Sequence, residues 1–211
     1  MIRTVFLAFT LAVCAAPAFA HPHVWVTMRS DLVYAPDGKI TGIRQHWAFD
    51  DMFSAFATQG LEAKEKGKFT REELQPLAKV NVESLKEYDY FTYATVDGTK
   101  VPLGDPLPGY WLDYKDSVLT LNFTLPFKTP VKAKSLTVDI YDPTIFVDFA
   151  FAKEKPVTWQ NPPSGCKLQV ALPREMTFAE GKALSEIPAD QQNLTMQWGA
   201  QFANKILVNC P

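Results

Sequence analysis

The sequence predicts an α+β fold in a single domain, mainly antiparallel β and sandwich-like, with helical insertions. Three observations indicate this class. Most segments alternate apolar and polar residues with the two-residue period of a strand. Turn-forming residues separate these segments at short intervals, while a few stretches have the longer period of an amphipathic helix. No internal repeat or low-complexity segment divides the chain, so we expect one domain.

Composition and charge exclude several classes of protein. The chain has 211 residues, of which 47% are hydrophobic and 21% charged, and its formal net charge is −2. These values are typical of globular proteins and exclude disordered, collagen-like and coiled-coil chains. The charge gives no argument for nucleic acid as a partner, and we expect none.

The first two strands form a predicted hairpin. Val24–Tyr34 and Ile40–Phe49 both alternate, and Pro36-Asp37-Gly38 between them is typical of a turn. A two-residue turn at Asp37-Gly38 places the apolar side chains of both strands on one face. The predicted pairs are Val26 with Phe49, Met28 with Trp47, Leu32 with Ile43, and Asp31 with Arg44.

Downstream, helices and strands follow from capping, periodicity and turns. An acidic cap at Asp50 predicts a short helix, and Thr70-Arg71-Glu72-Glu73 has capping-box spacing before a helical pattern that reaches about Tyr88. Pro76 inside that pattern should kink or divide the helix. The other predicted strands are 90–96, 100–103, 118–127, 135–141, 145–151 and 167–172, followed by a helix at 178–185 and a helix and strand ending at Cys210.

Residues 1–20 are predicted to be a cleaved secretory signal peptide, which leaves residues 21–211 as one periplasmic domain. Arg3 gives a positive start, 5–13 is apolar but too short to span a bilayer, and Ala18-Phe19-Ala20 matches a cleavage site. Lipidation at Cys14 is the weaker alternative, because bulky Val13 precedes it. We expect the cleaved protein to be soluble.

Two cysteines remain after cleavage, Cys166 and Cys210. An exported chain with two cysteines most simply forms one disulfide. Closing a loop of about 45 residues stabilises the fold by roughly 4 kcal/mol in the chain-entropy model. The bridge would attach the C-terminal tail to the body of the domain.

The new N-terminus predicts a metal site. Cleavage after Ala20 gives His21 a free α-amine beside its imidazole, and these two nitrogens can chelate one ion in the arrangement called a histidine brace. His23 lies two residues further, so its side chain points the same way along an extended strand. In the predicted register Trp25 opposes Asp50, which places the Asp50 carboxylate diagonally next to His23. These ligands suit divalent Zn²⁺, Ni²⁺, Co²⁺ or Cu²⁺.

Other readings of these residues stay open. The chain terminus can be frayed, in which case its two histidines bind no metal ion specifically. His46 is a secondary ligand candidate, because in this register it lies about 13 Å from Asp50. Asp142 can cap the turn that begins before Pro143, and Asp148 can simply face solvent. Alternatively, Asp142 or Asp148 adds a carboxylate ligand to the histidine cluster.

The motifs together resemble a known family. His21-Pro22-His23-Val24, His46-Trp47-x-Phe49-Asp50, Tyr141-Asp142-Pro143-x-x-Phe146-Val147-Asp148, Tyr90–Tyr93 and Cys210 are similar to a domain-of-unknown-function family of bacterial periplasmic proteins. Its members are described as the periplasmic component of an uncharacterised ABC-type transport system, often encoded beside nickel/cobalt-type metal permeases. The resemblance implies a periplasmic location, a membrane metal transporter or permease as partner, and His21, His23, His46, Asp50 and Asp142 as candidate metal ligands.

Three functional hypotheses follow. The first is a non-enzymatic accessory protein that captures a divalent transition metal and passes it to a membrane transporter. The second is a metal-free protein that docks on a transporter, and the third is a histidine-brace copper oxygenase. A metal-induced rise in melting temperature separates the second from the others, and redox activity with peroxide or oxygen separates the third from the first.

Overall fold

The computed structural model describes residues 23–65, 67–185 and 199–211, and these form two β-sheets together with several helices. The predicted signal peptide, together with His21 and Pro22, lies outside the described residues. No helix within the described ranges is long and apolar enough to span a membrane.

The first sheet has six strands and is built around the predicted hairpin. Its strands are β1 (Val24–Tyr34), β2 (Ile40–Phe49), β5 (Trp111–Lys115), β6 (Val118–Val131), β8 (Val147–Phe151) and β9 (Val157–Gln160). The order is β5-β6-β2-β1-β8, and β9 also pairs with β1. Strands β1 and β2 pair in the predicted register, including Met28 with Trp47 and Asp31 with Arg44.

The second sheet has five strands: β3 (Thr92–Val96), β4 (Thr99–Val101), β7 (Ser135–Ile140), β10 (Lys167–Ala171) and β11 (Asn204–Asn209). Their order is β10-β11-β7-β3-β4. As predicted, a disulfide joins Cys166 to Cys210. It links the residue just before β10 to the residue just after β11, and these two strands pair with each other.

The hydrophobic core lies between the two sheets. Trp47 on β2 is 1% exposed and packs edge-on against Phe123 and Phe149, at 4.8 and 4.9 Å between ring centroids. Val138 and Ile206 from the second sheet are fully buried against this cluster. The predicted fold class, a mainly antiparallel α+β sandwich, is confirmed.

The chain also forms helices, of which the one at Arg71–Leu85 packs against the edge strand β5. They are α1 (Asp51–Ala57), α2 (Arg71–Leu85), α3 (Phe178–Ser185) and short 3-10 segments at Lys86–Phe91 and Ala200–Phe202. The predicted capping box is present, because Thr70 Oγ1 accepts from Glu73 N while the Glu73 side chain accepts from Thr70 N. Helix α2 continues through Pro76, so the expected division of the helix does not occur. Proline costs one N–H hydrogen bond there, and burial of Leu74 and Ala78 offsets that loss.

Two connections differ from the sequence-based expectation. The predicted strand at 90–96 begins only at Thr92, because Asp89, Tyr90 and Phe91 form a left-handed turn with φ of 49°, 53° and 49°. The predicted strand at 145–151 begins at Val147, because residues 142–146 form a turn. Strands β5 and β9 were not expected.

Candidate functional site

His23 is fixed at the start of the first sheet. Its backbone N–H donates to Phe146 O at 2.9 Å, and its imidazole packs against the Phe146 ring with 4.8 Å between centroids. Its side chain is exposed, whereas the neighbouring Val24 points into the core. Because His21 lies outside the described residues, the structure places one of the two predicted N-terminal histidines.

Asp50 lies at the same end of the sheet, where β2 ends. As the register predicts, it faces Trp25: the Trp25 N–H donates to Asp50 Oδ2 at 2.9 Å. The other carboxylate oxygen accepts from Phe53 N at 2.8 Å and so caps helix α1. Both oxygens of Asp50 therefore already accept backbone hydrogen bonds that stabilise the junction of β1, β2 and α1.

Asp142 is 5% exposed and holds the turn that leads into β8. Its Oδ1 accepts from the backbone N–H and the hydroxyl of Thr144, at 2.7 and 2.8 Å, and its Oδ2 accepts from Val147 N at 2.9 Å. This arrangement confirms the turn chemistry predicted for Asp142. It also fixes the loop that contacts His23, since Phe146 belongs to the same turn.

Asp148 lies beside Trp25 in the parallel pairing of β1 with β8. Its side chain is exposed, on the same outer face as Trp25, because Val26 and Phe149 in the next register row are buried. No hydrogen bond or ion pair to its carboxylate is found among the described residues. Partial burial by its surroundings raises the pKa of Asp148 above its ordinary value.

His46 does not lie with these residues. It pairs with Arg29, six residues along β1 from His23, which corresponds to about 20 Å at roughly 3.3 Å per residue. Its Nδ1 faces Asn122 Oδ1 at 2.6 Å and its Nε2 faces Asp31 Oδ2 at 3.2 Å. Both ring nitrogens thus face an oxygen atom of a neighbouring side chain.

The contacts of His46 continue across the outer face of the first sheet. Asn122 Nδ2 donates to Asp113 Oδ2 at 3.2 Å, and Arg71 Nε donates to Asp113 Oδ1 at 2.8 Å. On the other side of the ring, Thr158 Oγ1 donates to Asp31 Oδ1 at 2.6 Å. This polar network joins β9, β1, β2, β6, β5 and α2, and it was not expected from the sequence.

The structure therefore separates the predicted ligands into two groups. His23 and Asp50 lie at one end of the first sheet with Asp148, and the Asp142 turn contacts His23 through Phe146. His46 lies in the network around Asn122 instead. Within the described ranges, no group of three or more His, Cys, Asp or Glu side chains is close enough to hold a metal ion.

Fold and site together define a two-sheet α+β protein with an exposed histidine beside carboxylates at the end of one sheet. The chain belongs to the family described as "Protein of unknown function (DUF1007)", whose model matches residues 6–210. An uncharacterized protein of Haemophilus influenzae is 22% identical over 194 residues, covering 90% of this chain and 91% of that protein. An uncharacterized 15.5 kDa protein in the trpE 3' region of Spirochaeta aurantia is 35% identical over 92 residues, covering 43% of this chain and 65% of that protein.

Proposed function

We propose that this protein binds a divalent transition-metal ion in the periplasm and passes it to a membrane transporter. The site is built on His21-Pro22-His23 at the N-terminus of the cleaved chain. The observation that carries the proposal is the position of His23. Its backbone is held by Phe146, while its exposed imidazole lies two residues before Trp25, on the same outer face, and Trp25 is flanked by Asp50 and Asp148.

Export supports this assignment. The first twenty residues have the three parts of a secretory signal, and cleavage after Ala20 would create the free amine of His21. The Cys166–Cys210 disulfide suits an oxidising compartment such as the periplasm. An amine, imidazoles and a carboxylate are ligands that Zn²⁺, Ni²⁺, Co²⁺ and Cu²⁺ accept.

Transfer to a partner is supported by the exposed surroundings of the site. Trp25 and Phe146 are each 45% exposed beside His23, and Met52 and Phe56 are exposed on helix α1, which begins next to Asp50. Exposed apolar side chains grouped at one end of a protein are typical of interaction surfaces. An ion held at this end can pass directly to a docked transporter, in keeping with the resemblance to periplasmic transport components.

The test is isothermal titration of the protein beginning at His21 with Zn²⁺, Ni²⁺, Co²⁺ and Cu²⁺. We expect a stoichiometric site of micromolar or tighter affinity that is lost in His23→Ala. His46→Ala is the matched control, because it removes a histidine about 20 Å away along the same sheet. Binding that is absent, or that survives His23→Ala, would contradict the proposed function.

A metal-free docking protein is the second candidate, because the same exposed aromatic residues suit a partner without any ion. It predicts that the transporter binds the His23→Ala protein as well as the wild type, with no dependence on added metal. The metal-binding proposal predicts that the His23→Ala protein carries less metal than the wild type, and that any difference in docking follows from this loss of metal.

A further inference from the structure

We propose that Asp148 is the carboxylate ligand of the metal site at the start of the first sheet, acting together with His23. This inference rests on the proposed function, and it names a ligand for that function. A carboxylate oxygen beside an imidazole nitrogen suits Zn²⁺, Ni²⁺ and Co²⁺, which are among the ions of the proposed function.

The register of the sheet brings the two side chains together. Trp25 pairs with Asp148 and Val24 with Val147, and directly before these pairs the His23 N–H donates to Phe146 O at 2.9 Å. His23 therefore lies just before β1, two residues from the partner of Asp148 along the strand direction, which places the Cα atoms of His23 and Asp148 about 8 Å apart. Both point outward, and that distance lets an imidazole and a carboxylate reach one ion.

The other two carboxylates at this end are committed to the backbone. Asp50 uses one oxygen for Trp25 N and the other for Phe53 N. Asp142 uses one oxygen for Thr144 and the other for Val147 N. If either carboxylate moved toward a metal ion, it would lose hydrogen bonds that hold the helix or the turn.

Asp148 has no such commitment among the described residues. Its side chain is exposed on the outer face of the sheet, and no described charge or hydrogen bond occupies its carboxylate oxygens. Both oxygens can therefore bind an ion without breaking a described contact of the fold.

The experiment compares Asp148→Asn with the wild type, both beginning at His21, by titration with Zn²⁺ and by absorption spectroscopy of the Co²⁺ form. We expect Asp148→Asn to weaken Zn²⁺ binding by about tenfold or more and to change the Co²⁺ spectrum. Asp148→His should recover most of the affinity with a third, distinct spectrum, because histidine is also a ligand. The control is Asp116→Asn, which removes a carboxylate from the turn between β5 and β6, at the opposite edge of the same sheet.

Thermal unfolding of each metal-free variant checks that the fold is retained. Wild-type affinity and an unchanged Co²⁺ spectrum in Asp148→Asn would overturn the assignment of Asp148 and leave the proposed function standing. If the wild type shows no site that depends on His23, the proposed function fails, and the assignment fails with it.

Discussion

Trp25 and Asp50 hold each other through two hydrogen bonds: the Trp25 N–H donates to Asp50 Oδ2 at 2.9 Å, and the Asp50 N–H donates to Trp25 O at 2.9 Å. The same carboxylate caps α1 through Phe53 N. One aspartate therefore fixes the start of β1, the end of β2 and the start of a helix. The surface beside His23 depends on that junction.

Replacing Asp50 should mainly affect stability. We expect Asp50→Ala to lower the free energy of unfolding by about 1–2 kcal/mol, because the helix cap and the bond to Trp25 are lost, and Asp50→Asn to recover part of it. Urea denaturation measures the change. Asp51→Ala, which removes an exposed carboxylate one residue further on, is the control. Equal losses in the two alanine variants would show that Asp50 has no capping role.

Replacing His46 should destabilise the outer face of the first sheet without affecting metal affinity. His46→Ala leaves Asn122 and Asp31 without their bonds to the ring, and we expect a loss of roughly 1–2 kcal/mol. Titration with Zn²⁺ should give the wild-type affinity. A metal affinity that falls together with stability would place His46 in the binding site.

Alkaline pH should unfold the protein through its buried tyrosines. Burial raises the pKa of Tyr34 to about 12, and burial together with Asp105 raises the pKa of Tyr90 to about 12. Unfolded tyrosines lose their protons near pH 10, so between about pH 10 and about pH 12 the native state binds more protons than the unfolded state. The free energy of unfolding should therefore fall by roughly 1.4 kcal/mol per pH unit for each phenol.

Urea denaturation at several pH values above about 9 measures this slope, and absorbance of tyrosinate follows the ionisation. Tyr34→Phe should make the slope shallower, because it removes one of the buried phenols. A free energy of unfolding that does not change over this range would contradict the assigned burial of the phenols.

Adding one glycine before His21 should weaken metal binding, because it moves the α-amine away from the His21 imidazole and opens the chelate ring. We expect the affinity for Zn²⁺ or Cu²⁺ to fall by about tenfold or more. A glycine inserted in the β5–β6 turn, far from His23, serves as a control of equal length. Unchanged affinity in the extended protein would rule out the histidine brace, while a site on His23 and Asp148 would still stand.

Local patterns predicted the first hairpin correctly. Alternation and the Asp37-Gly38 turn set its register, and that register placed Asp50 opposite Trp25. Both signals depend on residues close together in sequence, so no knowledge of the rest of the fold was needed.

Long-range pairings were not predictable in the same way. Asp148 reaches Trp25 only because β8 runs parallel to β1, and nothing local specifies which strand becomes its neighbour. The left-handed turn at Asp89, Tyr90 and Phe91 opposes local propensity, because non-glycine residues avoid positive φ. Burial of Tyr90 and Phe91 in the core is what stabilises it. The His46 network was missed because it joins six separate elements.

The most direct measurement is anomalous X-ray diffraction at the zinc edge from crystals of the zinc-loaded protein beginning at His21. We predict one strong anomalous peak about 2.0–2.1 Å from an imidazole nitrogen of His23 and within bonding distance of the Asp148 carboxylate. A zinc peak beside His46 and Asp31, or none near His23 in a protein shown to carry zinc, would contradict the account.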